Sequence, residues 1–484
     1  MRAALAAAAL LLACAPARPG DWPMLGGRPD RNMVADEKGL PAAWSWDPDP
    51  KKNVPKKNIK WIADLGTMAW STPVVAGGRV LIGTNNEKPR DPQVKGDRGV
   101  LMCFSAADGS FQWQAVHEKL HPNDQHKAMD EDWAQQGVCS TAAVAGDSVY
   151  YVSNRAELVC CDLQGFSDGE NDGPFKAEAR TGKQDADLIW VLDMRKDLGV
   201  KPHQASASSP LVVGGLVYVL TGNGVDEKGE IKNPQAPSFL AVEAATGQIA
   251  WRDSSPGDKI LAAQWSSPAY GEADGQPQVV FPGGDGWLYS FEPKTGKLLW
   301  KINCRTHEPV RADGKPETRN NLVATPVFVG HRVLVAVGHE PDSPNPTGCL
   351  RAIDARKRGD ITKDGELWRL ADKFGSTLST VSVHEGLVYA AEQDGYLNCV
   401  ELETGKRLWR HDLLTTVWGS PLVADGKVYL RTGDDEVIVL AIGREIKALA
   451  KNGLKGLNHG SVIASGGVLY MAGGERLFAV ATDK

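Results

Sequence analysis

The sequence predicts an all-β fold, an eight-bladed β-propeller with four antiparallel strands in each blade. Two observations predict it. A motif of small residues, usually followed by Pro, recurs eight times, and most copies precede a Gly turn and then a Trp. One such repeat cannot bury its own apolar face, so neighbouring repeats must pack on each other. The motif occurs at Ser71-Thr72-Pro73, Ser140-Thr141-Ala142, Ser208-Ser209-Pro210, Ser266-Ser267-Pro268, Ala324-Thr325-Pro326, Ser379-Thr380-Val381, Gly419-Ser420-Pro421 and Gly460-Ser461-Val462.

Each repeat carries the pattern of four strands, and the Trp marks the fourth. These residues are Trp61, Trp113, Trp190, Trp251, Trp300, Trp368 and Trp409. A degenerate fourth strand near Ile446–Ala450 has no Trp, and the last repeat, Gly460–Ala481, has only three strands. The first Trp strand, Ile59–Leu65, has no preceding partners. We therefore expect the strand that carries Trp61 to complete the C-terminal blade, which closes the ring and removes open edges.

The segment before the propeller predicts export. Met1-Arg2 and an Ala/Leu run are typical of a signal peptide over residues 1–17, and the run is too short to span a bilayer. Two alternatives stay open: cleavage after Ala17, or a lipobox that ends in a lipidated Cys14. Residues 18–58 are expected to be an arm or linker with Asp21-Trp22-Pro23 as its anchor, and residues 59–484 the propeller. The mature protein is expected in the periplasm or cell envelope, soluble or tethered by lipid.

Charge and cysteine usage narrow the function further. The net charge is −6 and no basic stripe is present, which makes nucleic acid an unfavoured partner. Seven cysteines follow Cys14, and three of them share one repeat position: Cys103, Cys160 and Cys399. The other repeats place Ala241, Ser290, Ala352 and Ala479 there. A position that accepts Ala, Ser and Cys is typical of a small buried site, where free Cys packs as a small hydrophobe.

Strand order assigns the longest loops to one face of the propeller. Loops from fourth to first strands and from second to third strands share this side, which we call the loop-rich face. Long loops on a rigid scaffold tend to carry function. Seven histidines are expected in these loops: His117, His121, His126, His203, His307, His339 and His459. Candidate ligand-binding residues at the channel mouth are Trp70, His203, Gln264, Trp265, Trp418 and His459.

The repeat resembles the pyrroloquinoline quinone (PQQ) enzyme repeat, a resemblance that covers Ile59–Ala481. That repeat forms the propellers of quinoprotein alcohol dehydrogenases and of BamB, an outer-membrane assembly lipoprotein that binds protein and no quinone. The segments at Asp21–Gly27 and Asp168–Pro174 are similar to those of PQQ-like propeller proteins found chiefly in planctomycetes. The repeat is specific for the fold and weak for function, because one fold supports unrelated activities.

The resemblance to quinoproteins implies Ca²⁺ on a quinone, an Asp base, a nearby Arg and a Trp floor. Trp70, Trp265 and Trp418 are candidates for the floor, but packing against a neighbouring blade is the favoured interpretation. No Glu/Asn/Asp ligand set aligns onto this chain. The pair Cys160-Cys161 resembles the adjacent cysteines found over the quinone. Neighbouring strand residues point to opposite faces, however, which disfavours a vicinal disulfide.

Two motifs suggest metal ions. His117-Glu118-Lys119-Leu120-His121 fits H-E-x-x-H, yet Pro122 would end the helix that such a zinc site requires. A chance match is the favoured interpretation. Asp168, Glu170 and Asp172 resemble the start of a Ca²⁺ loop, although Ala179 occupies the twelfth position, where a bidentate Glu belongs. We therefore predict that neither motif binds a metal ion. Weak Ca²⁺ binding by Asp168, Glu170 and Asp172 stays open as an alternative.

The sequence as a whole favours a non-catalytic binding scaffold. The loop-rich face would engage a protein, a glycan or a small ligand, and no catalytic residue is assigned. The alternative is a PQQ- and Ca²⁺-dependent quinoprotein dehydrogenase that oxidises alcohols or sugars.

Overall fold

The computed structural model describes residues 20–47, 51, 54, 56–306, 322–338, 347–454, 456 and 459–483. Within these residues the strands form eight sheets with a core of four antiparallel strands each, which confirms the predicted eight-bladed propeller. The first two strands are β1 (Val34–Ala35) and β2 (Ile59–Asp64). Blade 1 consists of β3 (Val74–Ala76), β4 (Arg79–Asn85), β5 (Arg98–Ser105) and β6 (Phe111–Glu118).

Blades 2 to 4 follow in chain order, and a short helix precedes blade 2 and another precedes blade 3. The elements are α1 (Gln125–Glu131), β7 (Ala143–Ala145), β8 (Ser148–Val152), β9 (Glu157–Asp162), β10 (Leu188–Asp193) and α2 (Met194–Leu198). Blade 3 has β11 (Leu211–Val213), β12 (Leu216–Leu220), β13 (Phe239–Glu243) and β14 (Ile249–Asp253). Blade 4 has β15 (Ala269–Ala273), β16 (Gln276–Pro282), β17 (Trp287–Phe291) and β18 (Leu298–Asn303).

The remaining blades keep the same order. Blade 5 has β19 (Val327–Val329), β20 (Arg332–Val337), β21 (Cys349–Asp354) and β23 (Glu366–Leu370), and β22 (Gly359–Asp360) pairs with β18. Blade 6 has β24 (Ser382–His384), β25 (Leu387–Ala391), β26 (Tyr396–Glu401) and β27 (Arg407–Asp412). Blade 7 has β28 (Leu422–Ala424), β29 (Lys427–Arg431), β30 (Glu436–Ala441) and β31 (Ala448–Gly453). Blade 8 has β32 (Ile463–Ser465), β33 (Val468–Gly473) and β34 (Arg476–Val480).

The ring closes where it was predicted to close. Strand β2 pairs antiparallel with β34 as the fourth strand of blade 8, and Trp61 lies opposite Ala479. First strands of neighbouring blades contact one another, as β7 does β11 and β24 does β28, so these strands surround the central channel.

The small repeat position is the cross-strand partner of the Trp. Cys103 pairs with Trp113, Cys160 with Trp190, Ala241 with Trp251, Ser290 with Trp300, Ala352 with Trp368 and Cys399 with Trp409. A small side chain there leaves room for the indole. In blade 7 the larger side chain is on the third strand: Val439 occupies the usual small position and pairs with Ala450, which replaces the Trp. The predicted burial of this position is confirmed, and the seven cysteines of the described chain are free thiols.

Six of the seven repeat Trp residues also bond their blade to the next one, whereas the indole N–H of Trp300 donates to Gln278 Oε1 within blade 4 at 2.7 Å. The indole N–H of Trp61 donates to the carbonyl of Ala106 at 3.1 Å, and that of Trp113 donates to Leu163 at 2.9 Å. The same bond forms from Trp190, Trp251, Trp368 and Trp409. The turn glycine lies against the ring: a Cβ on Gly109 would be 2.6 Å from Trp61. The Trp and the Gly of the repeat are therefore two halves of one contact between blades.

The motif hydroxyls form a second set of bonds between blades. The backbone N–H of Thr141 donates to Ser209 Oγ at 3.0 Å, and the N–H of Ser209 donates to Ser267 Oγ at 2.9 Å. The same bond joins Thr72 to Thr141, Thr380 to Ser420, Ser420 to Ser461 and Ser461 to Thr72. These buried groups are satisfied around the channel, which explains why the motif requires a hydroxyl.

The N-terminal arm has many more anchors than Asp21-Trp22-Pro23. Residues 20–47 form hydrogen bonds with all eight blades at or beside the channel-lining strands, and β1 lies parallel to β28. Arg31 is fully buried and donates to the carbonyls of Leu25, Ser209, Pro210 and Pro268. Arm residues also contact first-to-second turns, as Glu37 does at Gly466 and Leu40 at Asp425. The arm therefore covers the channel on the face opposite the loop-rich face.

Candidate functional site

Eight equivalent side chains lie at the start of the channel on the loop-rich face. Each belongs to the residue directly before one of the eight motifs. All eight are partly exposed. We call them the mouth ring: Trp70, Cys139, Ala207, Trp265, Val323, Leu378, Trp418 and His459. The sequence analysis selected four of them. Alignment of the motifs would have revealed the other four, because the position is fixed by the repeat rather than by residue type.

Three members of the mouth ring from consecutive blades form an aromatic group. The rings of Trp70 and His459 stack with centroids 3.8 Å apart and an interplanar angle of 16°. Trp418 meets the His459 ring edge-on at 4.5 Å and the Trp70 ring at 5.8 Å. Each of these residues lies in a loop that leads from the fourth strand of one blade to the first strand of the next, at the ends of blades 6, 7 and 8. Closure of the ring brings Trp70 next to His459, although the two are far apart in the sequence.

Several polar atoms beside this aromatic group have no hydrogen-bond partner. They are Trp70 Nε1, His459 Nδ1, Arg431 Nε and Asp435 Oδ1, and all four are buried atoms. Buried polar atoms are usually paired, so four unpaired ones in one region are an exception to the rule. The sequence analysis missed Arg431 and Asp435. Arg431 ends the second strand of blade 7 and Asp435 lies in the loop after it, where the repeat has no recurring residues.

Burial sets the charge state of this group. Burial, with the nearby Arg431 cation acting in the same direction, lowers the pKa of His459 to about 4. Burial also lowers the pKa of Arg431 to about 10, although the Asp435 carboxylate opposes the shift. At neutral pH the site therefore presents a neutral imidazole beside a guanidinium, a combination suited to ligands with hydrogen-bond acceptors.

The other predicted residues form a separate group at blades 3 and 4. Trp265 stacks near His203 at 6.4 Å, and its indole N–H donates to the His203 carbonyl at 3.1 Å. His203 Nδ1 lies 2.9 Å from the carbonyl oxygen of Val225, and burial lowers the pKa of this imidazole. Gln264 is buried, and its amide bonds Asn223, Ser238 and Gly284. Gln264 thus holds the loops of the mouth together.

Other buried carboxylates on the loop-rich face already have partners. Glu392 accepts two hydrogen bonds from Arg410, at 2.9 and 2.8 Å. Asp130 pairs with Lys201 at 2.8 Å, and Asp285 accepts the Tyr289 hydroxyl at 2.6 Å. These carboxylates stabilise the loops instead of facing the channel as free ligands.

The residues near Trp70 and Trp418 do not fit a quinone that carries Ca²⁺. Such an ion needs six to eight oxygen ligands, several of them from protein. Among the described residues near the aromatic group, Asp435 has a buried carboxylate oxygen without a partner, but no set of several convergent carboxylates is found there. Elsewhere in the described ranges, the one grouping of His, Cys, Asp or Glu side chains that could hold a metal is Asp162, Asp168 and Asp172, at the end of β9 and in the segment that follows it.

The H-E-x-x-H segment is not helical. His117 lies in strand β6, so its expected position in a loop is wrong, and its Nε2 is 2.9 Å from the Tyr151 hydroxyl. His121 pairs instead with Glu131 at 3.2 Å. The two imidazoles have different partners, because strand β6 holds His117 but ends at Glu118, inside the motif.

Cys160 and Cys161 point into different cores. Cys160 packs in the cluster with Trp190, and Cys161 packs in the cluster with Trp113. Burial raises the pKa of the Cys160 thiol to about 12, and it also raises the pKa of the Cys161 thiol. Neither lies at the channel mouth, because strand β9 alternates its side chains between the two faces of the blade.

The acidic loop forms a cluster that differs from the expected set. Carboxylate oxygens of Asp162, Asp168 and Asp172 lie within 4.8 Å of one another, whereas Glu170 is exposed. Burial raises the pKa of Asp162 to about 6, and the charges of Asp168 and Asp172 add to the increase. The sequence analysis missed Asp162, since it ends a strand several residues before the loop.

Some predicted residues lie outside the described part of the chain, namely Cys14, the signal segment over 1–17, His307 and His339. Among the residues that are described, no helix has the length and apolar character needed to cross a membrane.

Comparison with known proteins identifies relatives of two kinds. The family model described as "Outer membrane protein assembly factor BamB" matches residues 181–342 and 346–484. BamB from Yersinia pestis is 24% identical over 317 residues, which cover 64% of this chain and 69% of that protein. Polyvinylalcohol dehydrogenase from Sphingopyxis sp. (strain 113P3) is 24% identical over 322 residues, which cover 62% of this chain and 45% of the enzyme.

A shorter match reaches a lanthanide-dependent methanol dehydrogenase from Methylacidiphilum fumariolicum, 28% identical over 28% of this chain and 20% of the enzyme. The chain thus spans less than half the length of these two dehydrogenases. Among solved structures, BamB from Moraxella catarrhalis aligns with a TM-score of 0.53 and 13% identity, over 87% of this chain and 98% of that one. A europium-containing methanol dehydrogenase aligns at 0.58 and 14% identity, over 96% of this chain and 90% of that one. At these identities the structural matches show the fold alone.

Proposed function

Because this chain belongs to the family described as outer membrane protein assembly factor BamB, we propose that it is a non-catalytic scaffold that binds a protein partner. The loop-rich face makes the contact, and the aromatic group of Trp70, Trp418 and His459 is its centre. The protein acts after export, in the periplasm or at the cell envelope.

One observation supports this proposal above the others: the aromatic group is partly exposed and surrounded by unpartnered polar atoms. Trp is enriched at the centres of protein interfaces, where it contributes apolar area and an N–H donor together. The partly exposed rings offer apolar contact area at the mouth, and the nearby Arg431 cation attracts acceptor groups such as the carbonyls of a polypeptide. A peptide segment that enters the mouth would use both features at once.

The arm supports a binding role as well. It fills the opposite end of the channel, with Arg31 bonded to four carbonyls, so the mouth is a recess with a closed floor rather than a passage. A recess of this kind on a rigid ring of blades gives a preformed binding surface, which reduces the entropy lost on association.

The test is a pull-down from the native envelope with the immobilised chain. We expect a protein to be retained by the wild type and lost with the double variant Trp70→Ala/Trp418→Ala. Leu298→Ala is the matched control, because Leu298 is an exposed apolar side chain at the opposite-face end of blade 4. Equal retention by all three proteins would refute the aromatic group as the centre of binding.

The second candidate is a PQQ- and Ca²⁺-dependent dehydrogenase, which the matches to quinone-linked and other alcohol dehydrogenases favour. Incubation of the full chain with PQQ and CaCl₂ distinguishes the two functions. Quinone absorbance that remains after gel filtration, together with dye reduction by an alcohol, would overturn the scaffold proposal. We expect neither, because the carboxylates near the aromatic floor are too few.

A further inference from the structure

The insert between β9 and β10 holds a group of acidic side chains on the face opposite the mouth. Carboxylate oxygens of Asp162, Asp168 and Asp172 all lie within 4.8 Å of one another. Asp162 is buried at the end of strand β9, Asp168 is exposed in the loop, and Asp172 is half-buried. Three carboxylates converge from a rigid strand and a short turn, as the ligands of an oxygen-coordinated cation do.

A fourth carboxylate, that of Asp187, lies beside this cluster. Asp187 is fully buried, yet its Oδ1 has no hydrogen-bond partner. Its Oδ2 accepts the backbone N–H of Asp172 at 2.6 Å, so the carboxylate is directed at the acidic turn. An unpaired buried carboxylate oxygen is costly, and a bound cation would remove the cost. A second buried oxygen without a partner, Glu178 Oε1, belongs to the same insert.

The cations of the insert do not neutralise this group. The ammonium of Lys176 donates to the Asn171 side chain and to the backbone carbonyls of Asn171 and Asp172. Arg180 is bonded to Asp185 and Asp91, at the other end of the insert. Several carboxylates therefore share one nearby ammonium, and that ammonium is held by neutral oxygens.

We propose that Asp162, Asp168 and Asp172, with the buried Asp187 carboxylate beside them, bind a Ca²⁺ ion that attaches the Gln164–Asp187 insert to blade 2. Hard carboxylate oxygens select Ca²⁺ or Mg²⁺ over softer transition metals. Ca²⁺ accepts irregular geometry from strand and loop ligands, whereas Mg²⁺ demands a near-ideal octahedron at about 2.1 Å. The ion site is independent of the mouth on the other face and of the partner bound there.

Isothermal titration calorimetry of the chelator-treated full chain tests this site. We expect one Ca²⁺ per chain with a dissociation constant between about 10⁻⁵ and 10⁻³ M, and weaker binding of Mg²⁺. Asp168→Asn should weaken Ca²⁺ binding at least about tenfold, since losing even a supporting group around a metal costs this much. Glu170→Gln is the matched control: it changes the same charge two residues away, outside the cluster, and should bind Ca²⁺ as the wild type does.

Trypsin gives a second readout without any variant. Lys176 and Lys183 are exposed in the insert, and Ca²⁺ should slow cleavage after them when Mg²⁺ at the same concentration does not. No Ca²⁺ binding by the wild type up to about 10 mM, beyond the weakest extracellular sites, would overturn the proposal. So would equal weakening by Asp168→Asn and Glu170→Gln, which indicates general charge attraction. If Asp168→Asn does not fold, Asp172→Asn is judged by the same criteria.

Discussion

The imidazole of His459 lies flat on the indole of Trp70, with ring centroids 3.8 Å apart. His459 precedes the motif of blade 8 and Trp70 precedes that of blade 1, so their contact spans the point at which the ring closes. Burial and the nearby Arg431 cation both favour the uncharged imidazole. The two residues therefore link the candidate binding site to the stability of the closed ring.

The depressed pKa of His459 predicts a pH dependence of stability. The folded value is about 4 against 6.5 for an ordinary His. Between these values the unfolded chain binds more protons than the folded one, so the free energy of unfolding rises with pH in this window. The contribution is complete above pH 6.5 and is lost as the pH falls toward 4. His459→Gln should flatten the curve of thermal midpoint against pH in this range.

His126→Gln is the control for that experiment. His126 is exposed in α1, and its substitution should leave the slope between pH 4 and 6.5 as in the wild type. An unchanged slope in His459→Gln would mean that the imidazole is solvated and that the stacked arrangement is wrong.

The contact between Gly109 and Trp61 predicts a large effect of one added methyl group. A Cβ on Gly109 would lie 2.6 Å from the indole, and the backbone φ of +74° is itself unfavourable for Ala. Gly109→Ala should destabilise the fold by about 2–4 kcal/mol, the sum of backbone strain and overpacking. Denaturant unfolding measures the difference.

Gly146→Ala separates the two causes. Its φ is +62°, but nothing lies within 4 Å of the added Cβ. It should therefore cost only the backbone strain, about 1–2 kcal/mol. Equal costs for the two variants would show that the Trp and the turn glycine are not in contact.

The repeat made the fold predictable, because its Trp, Gly and hydroxyl residues form contacts between blades that recur in most units. Trp61 could be assigned to the last blade because the C-terminal repeat lacked one strand. The arm was not predictable in this way. Met33 and Trp44 are buried by contacts specific to this segment, and no periodic pattern in the sequence predicts their burial.

The candidate site was predicted only in part, for a related physical reason. Trp70, Trp418 and His459 could be selected by their position before the motif. Arg431 and Asp435 depend on the course of one loop, which a repeat does not specify. The acidic insert is similar in this respect. Asp168 and Asp172 could be selected from the sequence, whereas Asp162 and Asp187 come near them only because strands β9 and β10 pair.

The hydrogen bonds from motif N–H groups to the hydroxyls of the next motif predict that removal of one hydroxyl lowers the free energy of unfolding. Ser209→Ala removes the acceptor of the Thr141 N–H and leaves that buried donor unpaired. An unsatisfied buried donor costs about 1–3 kcal/mol, which chemical denaturation can resolve. Ser110→Ala, an exposed hydroxyl bonded to Asp108, should change stability by no more than about 0.5 kcal/mol. A Ser209→Ala variant as stable as the control would indicate that water replaces the hydroxyl.

Arg31 predicts how strongly the arm is attached to the propeller. Burial lowers its pKa to about 9, so the guanidinium remains charged at pH 7 while it donates to four buried carbonyls. Arg31→Met keeps the length and apolar volume of the side chain and leaves those carbonyls without their donor. We expect a loss of at least about 2 kcal/mol in the free energy of unfolding and faster proteolysis of residues 20–47.

Arg28→Met is the matched control, because Arg28 is half-exposed and pairs only with Asp30 at 3.1 Å in the described structure. An exposed pair of this kind contributes at most about 1 kcal/mol. A neutral Arg31→Met variant would mean that the cost of burying the guanidinium equals the strength of its bonds, as happens for some buried ion pairs. The arm would then be held by its backbone bonds to the channel strands, and proteolysis of residues 20–47 would be as slow as in the wild type.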